Sequence, residues 1–264
     1  MNEIINISLE GMIAGYILLL IPLAIILHQR VPILKDTALA LVRMTVQLLF
    51  VGFYLQYLFQ LNNGWLNLLW LLIMIIVADG SILRGCRLRT SRFAVAVFFA
   101  LFIGTAIPLV VFVGVILRTP GLLDAQYLIP IGGMILGNCL RADIIGLRNF
   151  YDAIRTHEKA YHQMLAQGAR LREAIAPFVR DALQAALAPS VASMAVIGLV
   201  ALPGMMTGVV LAGADPFIAI KYQIIIMVGI FTGTTITVFA AIRLTIKNSF
   251  NAYGVLDRTI FRHQ

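Results

Sequence analysis

FAVAVFFALFIGTAIPLVVFVGVIL, residues 93–117, is a run of 25 residues without a charged side chain. The hydrocarbon core of a bilayer is about 30 Å thick, and a helix needs about 20 apolar residues to cross it. A strand of a membrane barrel would instead alternate apolar and polar residues over about ten positions. The run therefore predicts a transmembrane helix, and with it an all-α integral membrane protein.

Similar apolar runs occur along the whole chain of 264 residues. Hydrophobic residues make up 61% of the sequence and charged residues only 12%, unlike the composition of soluble domains. We predict a single transmembrane domain of about seven helices, at residues 8–27, 37–60, 65–83, 93–117, 127–147, 183–201 and 216–242.

The basic residues predict the orientation of these helices. Segments 1–8, 61–64, 118–126 and 202–215 contain only Arg118, whereas the other connecting segments together hold 17 lysines and arginines. Cytoplasmic loops carry the excess of positive charge in membrane proteins. The N-terminus is therefore predicted outside and the C-terminus in the cytoplasm. The net charge of +8 follows from this topology, and no nucleic-acid partner is needed to explain it.

One long polar stretch, residues 148–182, is predicted to lie in the cytoplasm. Apolar residues recur on one helical face on each side of Gly168, which indicates two short amphipathic helices around a glycine break. Such an element can dock a cytoplasmic partner, or it can lie on lipid headgroups. The sequence has no phosphate-binding loop and no recognisable catalytic motif, so energy for uphill transport would come from another chain.

Three further stretches carry a resemblance to a known family: IPIGGMILGN (129–138), LAQGARLREAIAPFVRDALQAALAP (165–189) and GLVALPGMMTGVVLAGADPFIAIKYQ (198–223). With the length and the order of segments, they are similar to FetB-type permeases. These are membrane subunits of ABC transporters, described as iron exporters, with plant relatives linked to aluminium tolerance. The third stretch is the most specific part of the resemblance.

The resemblance implies the partners and the location. A permease of this type works with a separate cytoplasmic ATPase of the FetA type, two copies of each, in the bacterial inner membrane, and it is a multi-pass protein in contact with lipid. This chain would bind no cofactor, and ATP and Mg would bind at the partner ATPase. A homodimer is expected because one chain carries only one coupling region.

The resemblance also implies that residues 148–182 couple the permease to the ATPase. Helix 163–175 is expected to enter the ATPase cleft. ABC importers place an acidic residue six positions before the glycine of their coupling loop, but here His162 stands at that position and Glu158 lies ten before Gly168. The residues expected to contact the ATPase are Gln163, Met164, Leu165, Ala166, Gly168, Ala169, Arg172 and Glu173.

Polar residues inside the apolar segments are candidates for the translocation path. Asn138 lies near mid-membrane and follows several small residues, so its amide could form a hydrogen bond across a helix interface or line the cargo path. The same two alternatives apply to Gln47. Asp79 near Arg84 is expected to be paired locally or to form a cytoplasmic gate for a cation, and the same holds for Asp143 near Arg141.

An outer break is predicted at Pro203 and Gly204, because the uncharged run around them is too long for one membrane-spanning helix. Residues 203–214 are expected to form a half-helix or a re-entrant turn that acts as a hinged outer gate. Asp215 should cap the next helix, with Pro216 at its first position. The gate residues are Pro203, Gly204, Met205, Met206 and Gly208.

The cargo stays open at this point. Thioethers of Met205 and Met206 would suit a soft metal, whereas iron prefers oxygen and nitrogen ligands. A metal ion such as iron, a chelated or anionic species, a sugar nucleotide and an organic ion all remain possible. A membrane scaffold that docks a partner without transport is the alternative from another class.

Overall fold

A computed structural model gives the fold of residues 7–118, 121–251 and 253–261. This part of the chain is helical, without strands beyond isolated bridges. The helices are α1 (Leu9–Ile17), α2 (Leu20–His28), α3 (Leu34–Leu61), α4 (Gly64–Gly85), α5 (Thr90–Val110, continued by a π-helical turn at Val111–Ile116), α6 (Ala125–Thr156), α7 (Glu158–Ala166), α8 (Leu171–Val196), α9 (Gly204–Leu211) and α10 (Pro216–Ile246). A single 3₁₀ turn, Arg258–Ile260, follows in the described C-terminal segment.

Six stretches of the described chain are long and apolar enough to cross a membrane. They are Leu9–His28, Leu34–Leu61, Gly64–Gly85, Thr90–Ile116, Ala125–Thr156 and Pro216–Ile246. The prediction of an all-α, multi-pass membrane protein is confirmed. The predicted segment 183–201 is not among the six, because it is the second part of α8, whose first part carries charged residues.

Five helices, α4, α5, α6, α8 and α10, pack into the bundle that holds most of the buried side chains. Helix α3 meets this bundle only near its end, where Leu58 packs with Ala125 and Ile129 of α6. The rest of α3 presents its apolar side chains to the surroundings. The buried core therefore lies in the second half of the chain and in α4 and α5.

Helices α5 and α10 cross in backbone contact. A Cβ atom added to Gly104 would lie 2.7 Å from the Cβ of Thr237 and 3.0 Å from the carbonyl oxygen of Gly233. A Cβ atom added to Gly233 would lie 2.7 Å from the carbonyl oxygen of Gly104. Small residues at such a crossing let two membrane helices approach closely. Only glycine fits at these two positions.

The connecting segments gather at two ends of the bundle. At one end, which we call the basic end, Leu88 pairs with Phe261 and Glu158 with Arg258. At the opposite end, the Asn67 side chain donates a hydrogen bond to the carbonyl oxygen of Leu123. This grouping of segments matches the grouping in the predicted topology.

The helix ends near the predicted coupling region differ from the prediction. Helix α6 does not end at 147 but continues to Thr156, and α8 begins at Leu171, well before 183. The reason is that the polar residues 148–156 still bury one face, with Phe150, Tyr151 and Ile154 inside the bundle. Hydropathy falls after residue 147, whereas the helix continues to Thr156 and its buried face to Ile154.

The predicted cap at the start of α10 is confirmed. An Asp215 carboxylate oxygen accepts a hydrogen bond from the backbone N–H of Phe217 at 2.7 Å, and Pro216 occupies the first turn. Asp215 thereby satisfies one of the free N–H groups of the helix end. The half-helix predicted before it is present as α9.

Replacing this cap gives a first test. Asp215→Ala should destabilise the start of α10 by about 1 kcal/mol, since the lost acceptor leaves a helix-end N–H unpaired. Amide hydrogen exchange of residues 217–219 should become faster. Asp181→Ala, at an exposed position in the middle of α8, serves as the control and should leave these amides unchanged. Equal exchange in the two variants would contradict the capping role.

Candidate functional site

A half-open cavity of about 540 Å³ lies between α6, α8, α9 and α10. Its lining begins near Met134 on α6, follows α8 from Ala186 to Ile197, and includes the loop before α9. Drug-sized ligands occupy cavities of about 300–1,000 Å³. The cavity is therefore large enough for a small solute and too large for a single dehydrated ion alone.

The lining of this cavity is mostly apolar, with a few polar groups. It offers the thioethers of Met134, Met205 and Met227, the amides of Asn138 and Gln223, the hydroxyls of Ser190 and Ser193, and the guanidinium of Arg141. It has no carboxylate, imidazole or thiol. Within the described residues, no group of three or more His, Cys, Asp or Glu could hold a metal ion. This set of neutral donors beside a cationic guanidinium does not suit a bare iron ion, which proteins bind mainly through imidazoles and carboxylates.

Tight packing lies next to the cavity on the side of the basic end. A Cβ atom added to Gly146 of α6 would lie 2.6 Å from a methyl carbon of Val238 on α10 and 3.4 Å from the Cβ of Ala186 on α8. The cavity lining on α6 stops one residue before, at Ile145. Three helices, α6, α8 and α10, therefore meet closely at Gly146.

The structure brings together four of the predicted path residues. Asn138, Pro203, Gly204 and Met205 all line the cavity. The Asn138 amide donates a hydrogen bond to the carbonyl oxygen of Met134 at 2.8 Å, within its own helix. The predicted bond from Asn138 across a helix interface is therefore not present within the described chain.

Three other predicted residues lie elsewhere. Met206 lines two smaller cavities beside α9, of about 220 and 440 Å³. Gly208 lies on an exposed part of α9, and an added Cβ there would meet nothing within 4 Å. Gln47 is exposed on α3, far from the cavity lining in the fold.

Gln223 of α10 is the residue that sequence reasoning missed. Its side chain is buried, and it lines the main cavity and both smaller ones. A polar glutamine within an apolar helix could have indicated Gln223, in the same way as it indicated Gln47. Gln223 is also the last residue of the third quoted stretch. Gln223 is therefore a lining residue shared by all three cavities.

Helix α9 is surrounded by these cavities and packs mainly against α10. It ends at Gly213, whose φ of +84° lies in the left-handed region that favours glycine. The backbone N–H of Ala214 bonds to the carbonyl oxygen of Val209 and that of Gly213 to Val210. This is the double bond pattern of a Schellman helix end.

The predicted glycine break at the basic end is present and has the same geometry. Gly168 follows α7 with a φ of +91°. Its backbone N–H bonds to the carbonyl oxygen of Leu165, and that of Ala169 bonds to Met164. The prediction of one helix over 163–175 is wrong, because this left-handed residue ends α7, and α8 begins only at Leu171.

The residues predicted to contact the ATPase lie on both sides of this turn. Gln163, Ala166, Gly168, Arg172 and Glu173 are exposed, whereas Met164, Leu165 and Ala169 are half-buried against the core. A carboxylate oxygen of Glu173 also accepts a hydrogen bond from the backbone N–H of Arg170 at 2.9 Å, so Glu173 helps to cap the start of α8. The turn and the exposed faces beside it form a surface at the basic end.

A C-terminal segment, residues 247–251 and 253–261, holds this surface in place, and we call it the strap. Arg258 donates to both carboxylate oxygens of Glu158 on α7, at 3.0 and 2.8 Å, and this contact lowers the pKa of Glu158. Tyr161 donates its hydroxyl to the carbonyl oxygen of Gly254. Burial raises the pKa of Tyr161 to about 12, so the phenol stays protonated and keeps its role as donor.

The strap also binds the first turn of α5. Arg92 donates to Asp257 at 2.6 Å, and Thr259 donates to the same carboxylate through its backbone N–H and its hydroxyl. These hydrogen bonds, with those of Thr259 first, lower the pKa of Asp257 to about 2. The carboxylate is therefore ionised, and the strap remains attached, throughout the neutral range of pH.

Comparison with known proteins gives one family. The sequence profile of UPF0014, described as an uncharacterised protein family, matches residues 9–250. A UPF0014 membrane protein of Synechocystis sp. is 36% identical over 81% of this chain and 83% of its own length. The "Probable iron export permease protein FetB" of Escherichia coli is 30% identical over 94% of both chains. "Protein ALUMINUM SENSITIVE 3" of Arabidopsis thaliana is 30% identical over 89% of this chain and 87% of its own. No solved structure matches the chain.

Proposed function

The chain belongs to the UPF0014 family of membrane proteins, and on this premise we propose that it is the permease subunit of an ABC transporter. The observation that carries the proposal is the cavity between α6, α8, α9 and α10, which gathers predicted path residues in one place. The helix α8 that lines this cavity also begins at the Gly168 turn. A movement imposed at the turn therefore has a direct route to the cavity.

In the proposed cycle, a separate ATPase docks on the turn at the basic end, which faces the cytoplasm. Two copies of this chain work with two ATPases in a bacterial inner membrane, since each chain offers one docking turn. ATP and Mg bind at the ATPase. Movement of α8 separates the helices that pack at Gly146 and opens the cavity on one side, and movement of α9 opens it on the other.

We propose that the cargo is iron or another metal, exported in a chelated form. The FetB relative is named as an iron export permease. In this chain the cavity offers amides, hydroxyls, thioethers and Arg141, which suit hydrogen bonds and apolar contacts to an organic chelator. A chelator would supply the anionic ligands for the metal that the cavity lacks, since its lining has no carboxylate, imidazole or thiol.

The same lining supports a second candidate cargo, an organic ion without metal. The absence of carboxylate, imidazole and thiol groups in the lining favours it. ATP hydrolysis by the reconstituted permease and ATPase, measured with free iron, iron chelates and the chelators alone, separates the two. Stimulation by the iron chelate above that by the chelator supports metal export. A flat response to every metal species would overturn it.

Filling the cavity tests transport itself. Ser190→Phe places a large ring in the cavity, and we expect cargo transport to fall by about tenfold or more, because the ring occupies space that the cargo needs. Ala192→Phe is the matched control, because Ala192 is exposed on α8 and lies outside the lining. Transport by proteoliposomes is the measurement. Equal transport by both variants would show that the cargo path does not run through this cavity.

A further inference from the structure

Two acidic side chains lie buried inside the helix bundle, outside the cavity. Asp143 of α6 has 0% of its surface exposed, and Asp79 of α4 has 7%. One oxygen of Asp143 accepts a hydrogen bond from the Thr237 hydroxyl of α10 at 2.8 Å. The Oδ1 atoms of both aspartates have no hydrogen-bond partner.

The arginines that the sequence places nearby do not pair with these carboxyl groups. Arg84 donates through Nε to the carbonyl oxygen of Gly80, and Arg141 donates through Nε to that of Gly137. The ion pairs found within the described residues include neither aspartate. The predicted local pairing of Asp79 with Arg84 and of Asp143 with Arg141 is therefore wrong.

The groups that face Asp143 offer it no positive charge. Asp79 from α4, Cys86 at the end of α4 and Cys139 of α6 interact with it electrostatically, and α10 contributes Thr237. From α5, the fully buried Thr105 faces the Cys139 thiol, and its hydroxyl oxygen has no nitrogen or oxygen partner. Helix α8 approaches this part of α6 through Ala182 and Ala186, which do not titrate.

Two unpaired carboxylates cannot remain ionised in such a place. A charged aspartate at the centre of a membrane helix costs about 2.5–3.5 kcal/mol on insertion scales, and the electrostatic interaction between Asp79 and Asp143 adds repulsion between two like charges. We propose that Asp79 and Asp143 form a proton-binding site inside the bundle, with both carboxyl groups protonated in this conformation. The unpartnered Oδ1 atoms are the positions at which the protons bind.

The site links proton binding to the packing of four helices. The Thr237 hydroxyl that bonds to Asp143 belongs to the residue whose Cβ touches the α5 backbone at Gly104. A conformation that separates α5 from α10 would admit water to Asp143 and favour loss of its proton. Proton release is therefore coupled to opening of the bundle. This inference does not rest on the identity of any cargo or on an ATPase.

Infrared spectroscopy of the full chain in phosphatidylcholine vesicles tests the site. At neutral pH we expect the C=O stretching band of protonated carboxyl groups. Asp79→Asn and Asp143→Asn should each remove their own share of the band, and the double variant should remove all of it. Asp36→Asn changes an exposed carboxylate and should leave the band unchanged. Thr237→Val should shift the band without loss, because Asp143 then loses its hydrogen-bond donor.

Two outcomes would overturn the inference. The first is a wild-type spectrum at neutral pH without a protonated carboxyl band. The second is loss of the band when sodium or potassium is added, which would assign the site to a metal cation. The Thr237→Val shift also covers the case in which an aspartate variant fails to fold. None of these measurements needs transport, so failure of the proposed function would leave their result unaffected.

Discussion

Gly104→Ala should cost this protein several kcal/mol of stability and leave little folded chain. The added Cβ would lie 2.7 Å from the Cβ of Thr237 and 3.0 Å from the carbonyl oxygen of Gly233. Overpacking in a core costs about 1–3 kcal/mol when flexible side chains can move, and occasionally more. Here one neighbour is backbone and the other is a Cβ atom, so α5 and α10 themselves must move apart.

The matched control for this substitution is Gly137→Ala. Gly137 also lies inside a long helix, but an added Cβ would meet nothing within 4 Å. Alanine is favoured over glycine in helix interiors by about 1 kcal/mol, so this variant should be neutral or slightly more stable. Unfolding of the purified chains in mixed detergent micelles gives the comparison. Equal unfolding midpoints would show that the α5–α10 crossing does not limit stability.

The membrane helices and their breaks could be predicted because their causes are local. A run such as 93–117 must be helical in a bilayer, since no water satisfies its backbone. Asp215 and Pro216 start α10 through a side-chain cap and a proline in the first turn, which are both local features. Gly168 ends α7 because glycine adopts the left-handed conformation, which is local as well. Pro203 likewise marks the break before α9. These positions agree between sequence and structure.

The helix ends near 147 and 183 could not be predicted from hydropathy. Hydropathy reports where residues become polar, and residues 148–156 are polar on one face only. Their other face, with Phe150 and Tyr151, is buried against the rest of the bundle. Tyr151 bonds to Ser249 of the strap, a partner 98 residues away. Such a long-range contact helps to determine where the helix ends, but it produces no pattern in the local sequence from which the end could be predicted.

Only the parts of the candidate site that have a local sequence signal could be predicted. Asn138 and the loop at Pro203 stand out as polar or helix-breaking residues in apolar surroundings, and both line the cavity. The spacing of about one turn between Asp79 and Arg84 suggests that they pair. In the structure, however, Arg84 donates to the carbonyl oxygen of Gly80 instead. Asp79 and Asp143 lie on two different helices, so neither local sequence indicates that they interact electrostatically.

Gly168→Pro should separate ATP hydrolysis from transport in the proposed complex. Gly168 has a φ of +91°, whereas proline fixes φ near −65°, and its nitrogen cannot donate to the Leu165 carbonyl as Gly168 does. The turn between α7 and α8 must then change shape. Forcing proline into the present conformation would cost about 1–3 kcal/mol of local strain. Because the turn then no longer transmits movement to α8 in the same way, we expect coupled transport to fall by about tenfold or more.

The measurement is transport of cargo and ATP hydrolysis by the same proteoliposomes, with co-purification of the ATPase as the check on assembly. Gly168→Asn is the matched control, because asparagine tolerates the left-handed region and keeps its backbone N–H. We expect this variant to transport nearly as well as the wild type. The strap holds α7 through Glu158 and Tyr161 independently of the turn, so the proline variant should still fold. If Gly168→Pro assembles and transports at the wild-type rate per ATP, the turn does not carry the coupling.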